Sequence, residues 1–333
     1  MTAAIPQNFT RYVVMGAGAW GTAVAIHLAR YNHSVALLCR SEHNAQVLNR
    51  LRENKEYLPG YPLSSTLQVT HDMGCLSNAI VLIAVPVAGL ADALRQAQHH
   101  NAQAAIGLCK GLEANTGRLP HELASYLHIT LPIGVLSGPS FAQEVAQGLP
   151  TALTIATDHE WLRLNIQTAL HHGTMRVYTS TDVIGVEIAG AVKNIIALAC
   201  GISDGLNLGL NARAALITRG LAETTRLTLA LGGKMDTLMG LTGVGDLVLT
   251  CTGNLSRNRS YGTLLAQGYS PTMIEAQLGH VAEGARCVAA VAKRAMQLGV
   301  DMPITDIVAR LVTEELSPQS ALSILLAREA KSE

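Results

Sequence analysis

The chain has 333 residues, with 24 basic and 24 acidic side chains in balance, 49% apolar composition and only 14% charged residues. That length exceeds what a single compact core usually organises, so two domains are expected. The charge balance, with no long basic run, excludes a general electrostatic footprint for nucleic acid or an anionic membrane surface.

The opening segment, Met1 to Thr10, has neither basic residues nor a long apolar core, which argues against a secretory signal. Strand-like runs follow near 11–15, 35–39, 67–70, 79–84, 105–109, 132–136, 151–156 and 174–178. Helical patterns fill 20–30, 42–54, 88–98, 118–127, 140–147 and 159–170. This alternation predicts an α/β fold with a doubly wound, Rossmann-type parallel sheet covered by helices on both faces. Apolar stretches such as 79–91 are too short and too interrupted by proline to cross a bilayer, so no membrane insertion is expected. After residue 182 the alternation gives way to Ala/Leu-rich helical sequence with glycine turns. Asp182 to Leu206 reads as one long helix capped by Asp182, with Gly185, Ala189, Gly190 and Ala191 allowing another backbone to come close. The expected domains are a dinucleotide-binding domain over 1–189 and an all-helical substrate domain over 190–333. The six cysteines (Cys39, Cys75, Cys109, Cys200, Cys251, Cys287) lack the close pairing of zinc or dithiol sites and read as reduced core thiols, which points to the cytoplasm.

Gly16-Ala17-Gly18-Ala19-Trp20-Gly21 follows the apolar run Tyr12 to Met15 and opens a helical pattern. That is the strand, turn and helix context that makes three spaced glycines a dinucleotide site. Gly16 makes the tight turn, Gly18 admits the pyrophosphate to the backbone, and Gly21 lets helix and strand pack. The phosphates then rest on a helix N-terminus. The second strand ends Leu38-Cys39-Arg40, without the acid that binds ribose hydroxyls in NAD-preferring sites. Arg40 suits a 2′-phosphate, so NADPH is the expected preference with NADH also used. Glu42 fits first-turn helix stabilisation better than ribose binding.

Reducing a ketone requires a proton donor beside the developing alkoxide. Lys193 lies in the apolar run Ile188 to Ala197, where burial lowers a lysine pKa towards the working range. The alternative is a structural ion pair with Glu187 or Asp246. Lys110 ends a strand at the carboxyl edge of the sheet, where it meets a ligand or is simply an exposed charge. Ser137 to Ala142 forms a turn into a helix on the same edge. Asp246, after Gly243-Val244-Gly245, either orients Lys193 or caps a helix. Ser256 looks like an N-cap, yet Arg257 and Arg259 occupy the first turn against the helix dipole. A bound phosphate resolves that conflict, and salt-paired surface arginines are the competing reading. The twelve histidines show no ligand spacing, and no metal is assigned.

In order along the chain, Gly16 to Gly21, Leu58-Pro59-Gly60, Leu108 to Gly111, Ser137 to Ala142, Val186 to Asn194, Gly245 to Thr252, Ser256-Arg257-Asn258 and Val281 to Gly284 together resemble bacterial NAD(P)-dependent glycerol-3-phosphate dehydrogenase. The resemblance implies reduction of dihydroxyacetone phosphate to sn-glycerol 3-phosphate for phospholipid synthesis. It also implies a C-terminal domain of the 6-phosphogluconate dehydrogenase-like type. It makes Lys193 the catalytic proton donor. It places Lys110, Gly138, Ser140, Lys193, Asp246, Ser256, Arg257 and Asn258 at the substrate. Ala19, Trp20, Arg40, Lys110, Ala142, Arg257, Val281 and Glu283 join the three glycines at the cofactor. Serine is common in the family where this chain has Ala19, so one side-chain hydrogen bond is expected to be missing. The alternatives are a related hydroxy-acid or ketopantoate dehydrogenase, or an inactive dinucleotide sensor, which would need none of Lys193, Asp246 and Arg257. The Ala/Leu-rich half is expected to cover apolar surface in a homodimer.

Overall fold

The computed structural model describes residues 10–31, 33–279 and 282–327, so the opening segment through residue 9 and Val281 lie outside the described residues. Contacts divide the chain into two units, Met1–Cys109 with His121–Val183, and Lys110–Pro120 with Ile184–Glu333. The boundary expected between residues 189 and 190 falls inside the helix Val183–Gly205.

Among the described residues the first unit holds ten strands: β1 (Arg11–Met15), β2 (Ser34–Leu38), β3 (Glu53–Asn54), β4 (Leu58–Pro62), β5 (Gln68–Thr70), β6 (Ala79–Ile83), β7 (Ala104–Gly107), β8 (Ile133–Ser137), β9 (Thr151–Ala156) and β10 (Met175–Ser180). Its helices are α1 (Ala19–Arg30), α2 (Glu42–Leu51), α3 (Leu90–His99), α4 (Pro120–Tyr126), α5 (Ala142–Gln147) and α6 (Glu160–Leu170). Eight strands form one sheet in the order β10-β9-β8-β7-β6-β1-β2-β5, and β3 and β4 form a separate antiparallel hairpin. Alternate residues of β1 feed opposite layers. Tyr12 and Val14 pack with Leu28 and Ile166, while Val13 and Met15 pack with Leu90, Leu94 and Leu123.

One expectation needs correction, because the sheet is not wholly parallel. β8 and β9 run antiparallel, whereas every other neighbouring pair in the sheet is parallel. The connecting helix α5 has six residues, or about 9 Å at helical rise, while the five residues of β8 cover about 17 Å. Such a helix cannot carry the chain back along the strand, so β9 starts at the edge where β8 ended.

The second unit is helical, with α7 (Val183–Gly205), α8 (Gly209–Ala230), α9 (Met235–Leu238), α10 (Asp246–Thr252), α11 (Arg257–Ala266), α12 (Pro271–Leu278), α13 (Glu283–Gln297), α14 (Pro303–Val312) and α15 (Pro318–Leu326). By length and composition α7 matches a membrane span, but 89% of its most apolar window is buried inside the protein. It is the core helix of this unit, carrying Ile188, Val192, Ile195, Ile196, Leu198 and Cys200 at 0% exposure. Its tightest crossing lies beyond the small residues expected from sequence. A Cβ at Gly201 would fall 2.0 Å from the Arg259 carbonyl oxygen, and one at Gly262 would fall 2.1 Å from that of Leu198. Glycine at both positions lets α7 and α11 cross backbone to backbone. The buried carboxylate of Glu223 caps α14, accepting from the Ile304 N–H at 2.6 Å and from the Thr305 N–H and hydroxyl at 3.2 and 3.0 Å. The helix has no cap of its own from Met302, so these bonds satisfy its first donors.

Candidate active site

In the first unit, β1 lies between β2 and β6, and its last residue hands the chain to the glycine loop. Gly16 takes φ 115°, and a Cβ there would fall 2.9 Å from the Ala84 carbonyl oxygen. At Gly21 a Cβ would fall 2.0 Å from the Gly16 carbonyl oxygen, so the loop and α1 close only with glycine at both places. Gly18 differs, because nothing lies within 4 Å of where its Cβ would stand. Gly18 is also the N-cap of α1, where no side chain caps the helix and no acid occupies the first turn. Uncapped N–H groups beside open space, at the positive end of a helix dipole, are the donor set a pyrophosphate needs. The residues present therefore fit a dinucleotide. Ala19 and Trp20 begin the same turn and pack partly against the core.

Arg40 follows β2 and is exposed, and it makes no hydrogen bond or ion pair among the described residues. Glu42 sits in the first turn of α2, as the sequence predicts, and Ser41 caps that helix by accepting from the Asn44 N–H at 3.3 Å. β8 is parallel to β7 and ends on the same edge as β1, at Ser137 and Gly138. Gly138 has φ 138°, and the Ser140 hydroxyl donates to its carbonyl at 3.0 Å. Ala142 begins α5.

In the second unit, the segment from Lys110 to Pro120 brings Lys110 to the helices. A π-helical turn, Leu241–Gly245, leads into α10 and presents Asp246. Asp246 does not cap that helix. Its carboxylate, 1% exposed, accepts from Lys193 Nζ through Oδ1 and from Lys110 Nζ through Oδ2 at 2.6 Å. Lys193 Nζ also donates to Thr250 Oγ1 at 2.9 Å. Of the two partners the sequence offered for Lys193, Asp246 is the one found.

Burial pushes the Lys193 ammonium down to about 8, against the pull of Asp246 and with the help of the Lys110 charge. Burial alone would raise the Asp246 carboxyl, but Lys110 and Lys193 outweigh it and hold the group below the usual carboxylate range. Two ammonium groups against one carboxylate leave the cluster formally positive, which favours an anionic ligand.

Ser256 caps α11, accepting from the Arg259 N–H at 3.3 Å, as its position in the sequence predicts. The two arginines of that first turn separate. Arg259 is paired within the protein, donating to Asp204 Oδ2 at 2.7 Å, a carboxylate it shares with Arg213, and to Asn254 Oδ1 at 3.2 Å. Arg257 remains exposed, without a hydrogen bond or ion pair among the described residues. Asn258 is buried. It donates to Asn194 Oδ1 and accepts from the Gly284 N–H, both at 2.9 Å, tying α11 to α7 and to the start of α13. Glu283 opens α13. Burial raises its carboxyl, while Arg257, Lys110 and Lys193 pull it back, so these charges share one electrostatic neighbourhood. Sequence reasoning missed Thr250 and Asn194. Thr250 lies four residues after Asp246 on one helix, a spacing that puts both on the same face.

The family profile described as NAD-dependent glycerol-3-phosphate dehydrogenase N-terminus matches residues 12–162, and that of the C-terminus matches residues 182–323. A glycerol-3-phosphate dehydrogenase [NAD(P)+] of Paucimonas lemoignei is 52% identical over 330 residues, covering 97% of this chain and 98% of that relative. One of the same description from Ralstonia nicotianae is 52% identical over 335 residues, covering 97% and 99%. The crystal structure of glycerol-3-phosphate dehydrogenase from Coxiella burnetii is 41% identical, covers 96% of this chain and 100% of its own, and superposes with a TM-score of 0.92.

Proposed function

This chain belongs to the NAD-dependent glycerol-3-phosphate dehydrogenase family, and from that premise we propose how its residues carry out the reaction, the reversible reduction of dihydroxyacetone phosphate to sn-glycerol 3-phosphate. It is an oxidoreductase using a nicotinamide cofactor, and when bound the nicotinamide supplies or accepts the hydride. The observation that carries the proposal is the buried cluster in which Asp246 joins Lys193 and Lys110.

Lys193 Nζ, protonated, gives its proton to the carbonyl oxygen as that oxygen becomes a hydroxyl, and in oxidation the neutral amine takes it back. Asp246 orients the ammonium and keeps it charged in an apolar setting, and Thr250 fixes a second of its hydrogens. Lys110, Gly138, Ser140, Ser256 and Asn258 are assigned with Asp246 to substrate binding. The cofactor is assigned to Gly16, Gly18, Ala19, Trp20, Gly21, Arg40, Lys110, Ala142, Arg257, Val281 and Glu283.

Arg257 is assigned to the substrate phosphate as well, since it is the first-turn arginine of α11 that is exposed and makes no ion pair among the described residues. Arg257→Ala is expected to raise KM for dihydroxyacetone phosphate about tenfold, the order of one lost charge-assisted bond at an exposed site. At saturating NADPH, turnover of unphosphorylated dihydroxyacetone should barely change. Equal losses with both ketones would remove the phosphate from this reading.

Arg40 carries the finer cofactor preference, for NADPH over NADH, as an exposed cation at the end of β2 without a hydrogen bond or ion pair among the described residues. In Arg40→Ala, kcat/KM with NADPH is expected to fall about tenfold while that with NADH holds. A parallel fall with both cofactors would contradict the assignment.

The protein is further proposed to act as a homodimer, because the first half of α8 leaves Leu210 73% exposed, with Ala214 and Ala215 also exposed. Light scattering at micromolar concentration should give twice the chain mass, and a monomer mass would reject the dimer. The six cysteines are buried thiols, which supports action in the reducing cytoplasm, upstream of glycerophospholipid synthesis. Activity recovered with membranes or outside the cell would contradict that location.

A further inference from the structure

The hairpin β3–β4 has no part in the chemistry above, yet it reaches the glycine loop through one side chain. Asn54 is 3% exposed. Its carboxamide nitrogen has two hydrogens, and both are used. One goes to the Ala17 carbonyl at 2.8 Å and the other to Thr22 Oγ1 at 2.8 Å. Its oxygen accepts from the Tyr57 N–H at 3.3 Å, which fixes the amide's orientation from the hairpin side. The hairpin is itself anchored. Leu58 is fully buried in the core that also holds α1, and Arg52, just before β3, donates to the Leu67 carbonyl at 3.0 Å and to that of Ser64.

The consequence for the loop is geometric. In a trans peptide the carbonyl and the following N–H point in opposite directions. Holding the Ala17 carbonyl towards Asn54 therefore turns the Gly18 N–H away from the hairpin. Gly18 has open space at its Cβ position, and its own carbonyl accepts from the Thr22 N–H at 2.9 Å to start α1. Thr22 is thus bonded to the loop by its backbone and to Asn54 by its side chain.

We propose that Asn54 is a positioning residue for dinucleotide binding. Its amide locks the peptide between Ala17 and Gly18 against the first turn of α1, so the loop's N–H groups are set before the pyrophosphate arrives. This rests on the reading of that loop as the cofactor site. A preorganised donor set binds tighter because the ligand need not order it.

The test measures NADPH affinity by fluorescence titration, with kcat and both KM values, in the unmutated full chain, Asn54→Ala and Thr22→Val. Asn54→Ala is expected to raise Kd and KM for NADPH about tenfold, as for a half-buried carbonyl left without its donor, with kcat and KM for dihydroxyacetone phosphate within about twofold. Thr22→Val keeps the Ala17 bond and should raise the NADPH values about threefold. If Asn54→Ala fails to fold, Thr22→Val decides by the same readouts. NADPH constants unchanged in the variants would overturn the proposal, as would kcat and both KM values moving together with thermal stability. If the unmutated protein fails to bind NADPH, the cofactor reading of the loop falls instead.

Discussion

Lys193→Met is expected to lower kcat for dihydroxyacetone phosphate reduction about a thousandfold, within the range contributed by a positioned proton donor. KM for NADPH should stay within about twofold, because Lys193 is assigned to the proton transfer and not to holding the cofactor. Methionine fills much the same volume, so packing around α7 is retained while the charge is lost. The unmutated enzyme is expected to show a matching pH dependence. Reduction requires the ammonium form, whose pKa lies at about 8, so kcat for reduction should fall as pH rises through that value. Oxidation of glycerol 3-phosphate requires the neutral amine and should rise over the same interval. More than a tenth of the activity surviving in Lys193→Met would remove Lys193 from the chemistry, and initial-rate kinetics in both directions provide the check.

Asp246→Asn acts on both activity and stability. The carboxylate is the group that raises the Lys193 pKa against burial and against Lys110. Without it the ammonium sheds its proton more easily, and the fall in reduction rate should move from about 8 to lower pH. At neutral pH the expected loss in kcat is about a hundredfold. Removing one partner of a buried ion pair costs about 3 kcal/mol, here by leaving two cations near one another in a buried site. The pH dependence of that cost has a definite sign. In the variant the folded Lys193 pKa is depressed further below its unfolded value, so the unfolded chain binds more protons between the two. Stability then rises with pH across that window, and the penalty is greatest below the folded pKa. Denaturant unfolding at several pH values reads it, and a penalty that grows with pH would contradict the arrangement of charges.

Much of the architecture was legible because buried strands and amphipathic helices have different periods. The continuous apolar run of β6, buried at every position, and the alternating layers served by β1 are examples of that signal. The hairpin was not legible. β3 has two residues, and β4 carries Pro59 and Pro62, which suppress a strand reading. That concealed Asn54, whose role depends on a bond to a backbone carbonyl far away in sequence. The reversal of β9 was hidden for another reason, since alternation identifies elements but not how far a short helix carries the chain. At the site, burial singled out Lys193 from its apolar neighbours, but the choice between Glu187 and Asp246 depended on the fold. A Cβ at Gly243 would fall 1.9 Å from the Leu238 carbonyl oxygen, and this tight passage precedes the helix that presents Asp246. The two arginines of α11 looked alike in sequence, and only Asp204, on a different helix, distinguishes Arg259 from Arg257.

This chain transfers hydride between a nicotinamide cofactor and a phosphorylated three-carbon ketone, and its lysine cluster is proposed to carry the proton chemistry. The most direct measurement is steady-state oxidation of NADPH and NADH by the purified protein with dihydroxyacetone phosphate, with the product identified by its stereochemistry. Rapid turnover to sn-glycerol 3-phosphate is expected, with much slower turnover of unphosphorylated dihydroxyacetone and a rate that declines above about pH 8. No oxidation with dihydroxyacetone phosphate, or faster oxidation with ketopantoate, would contradict it.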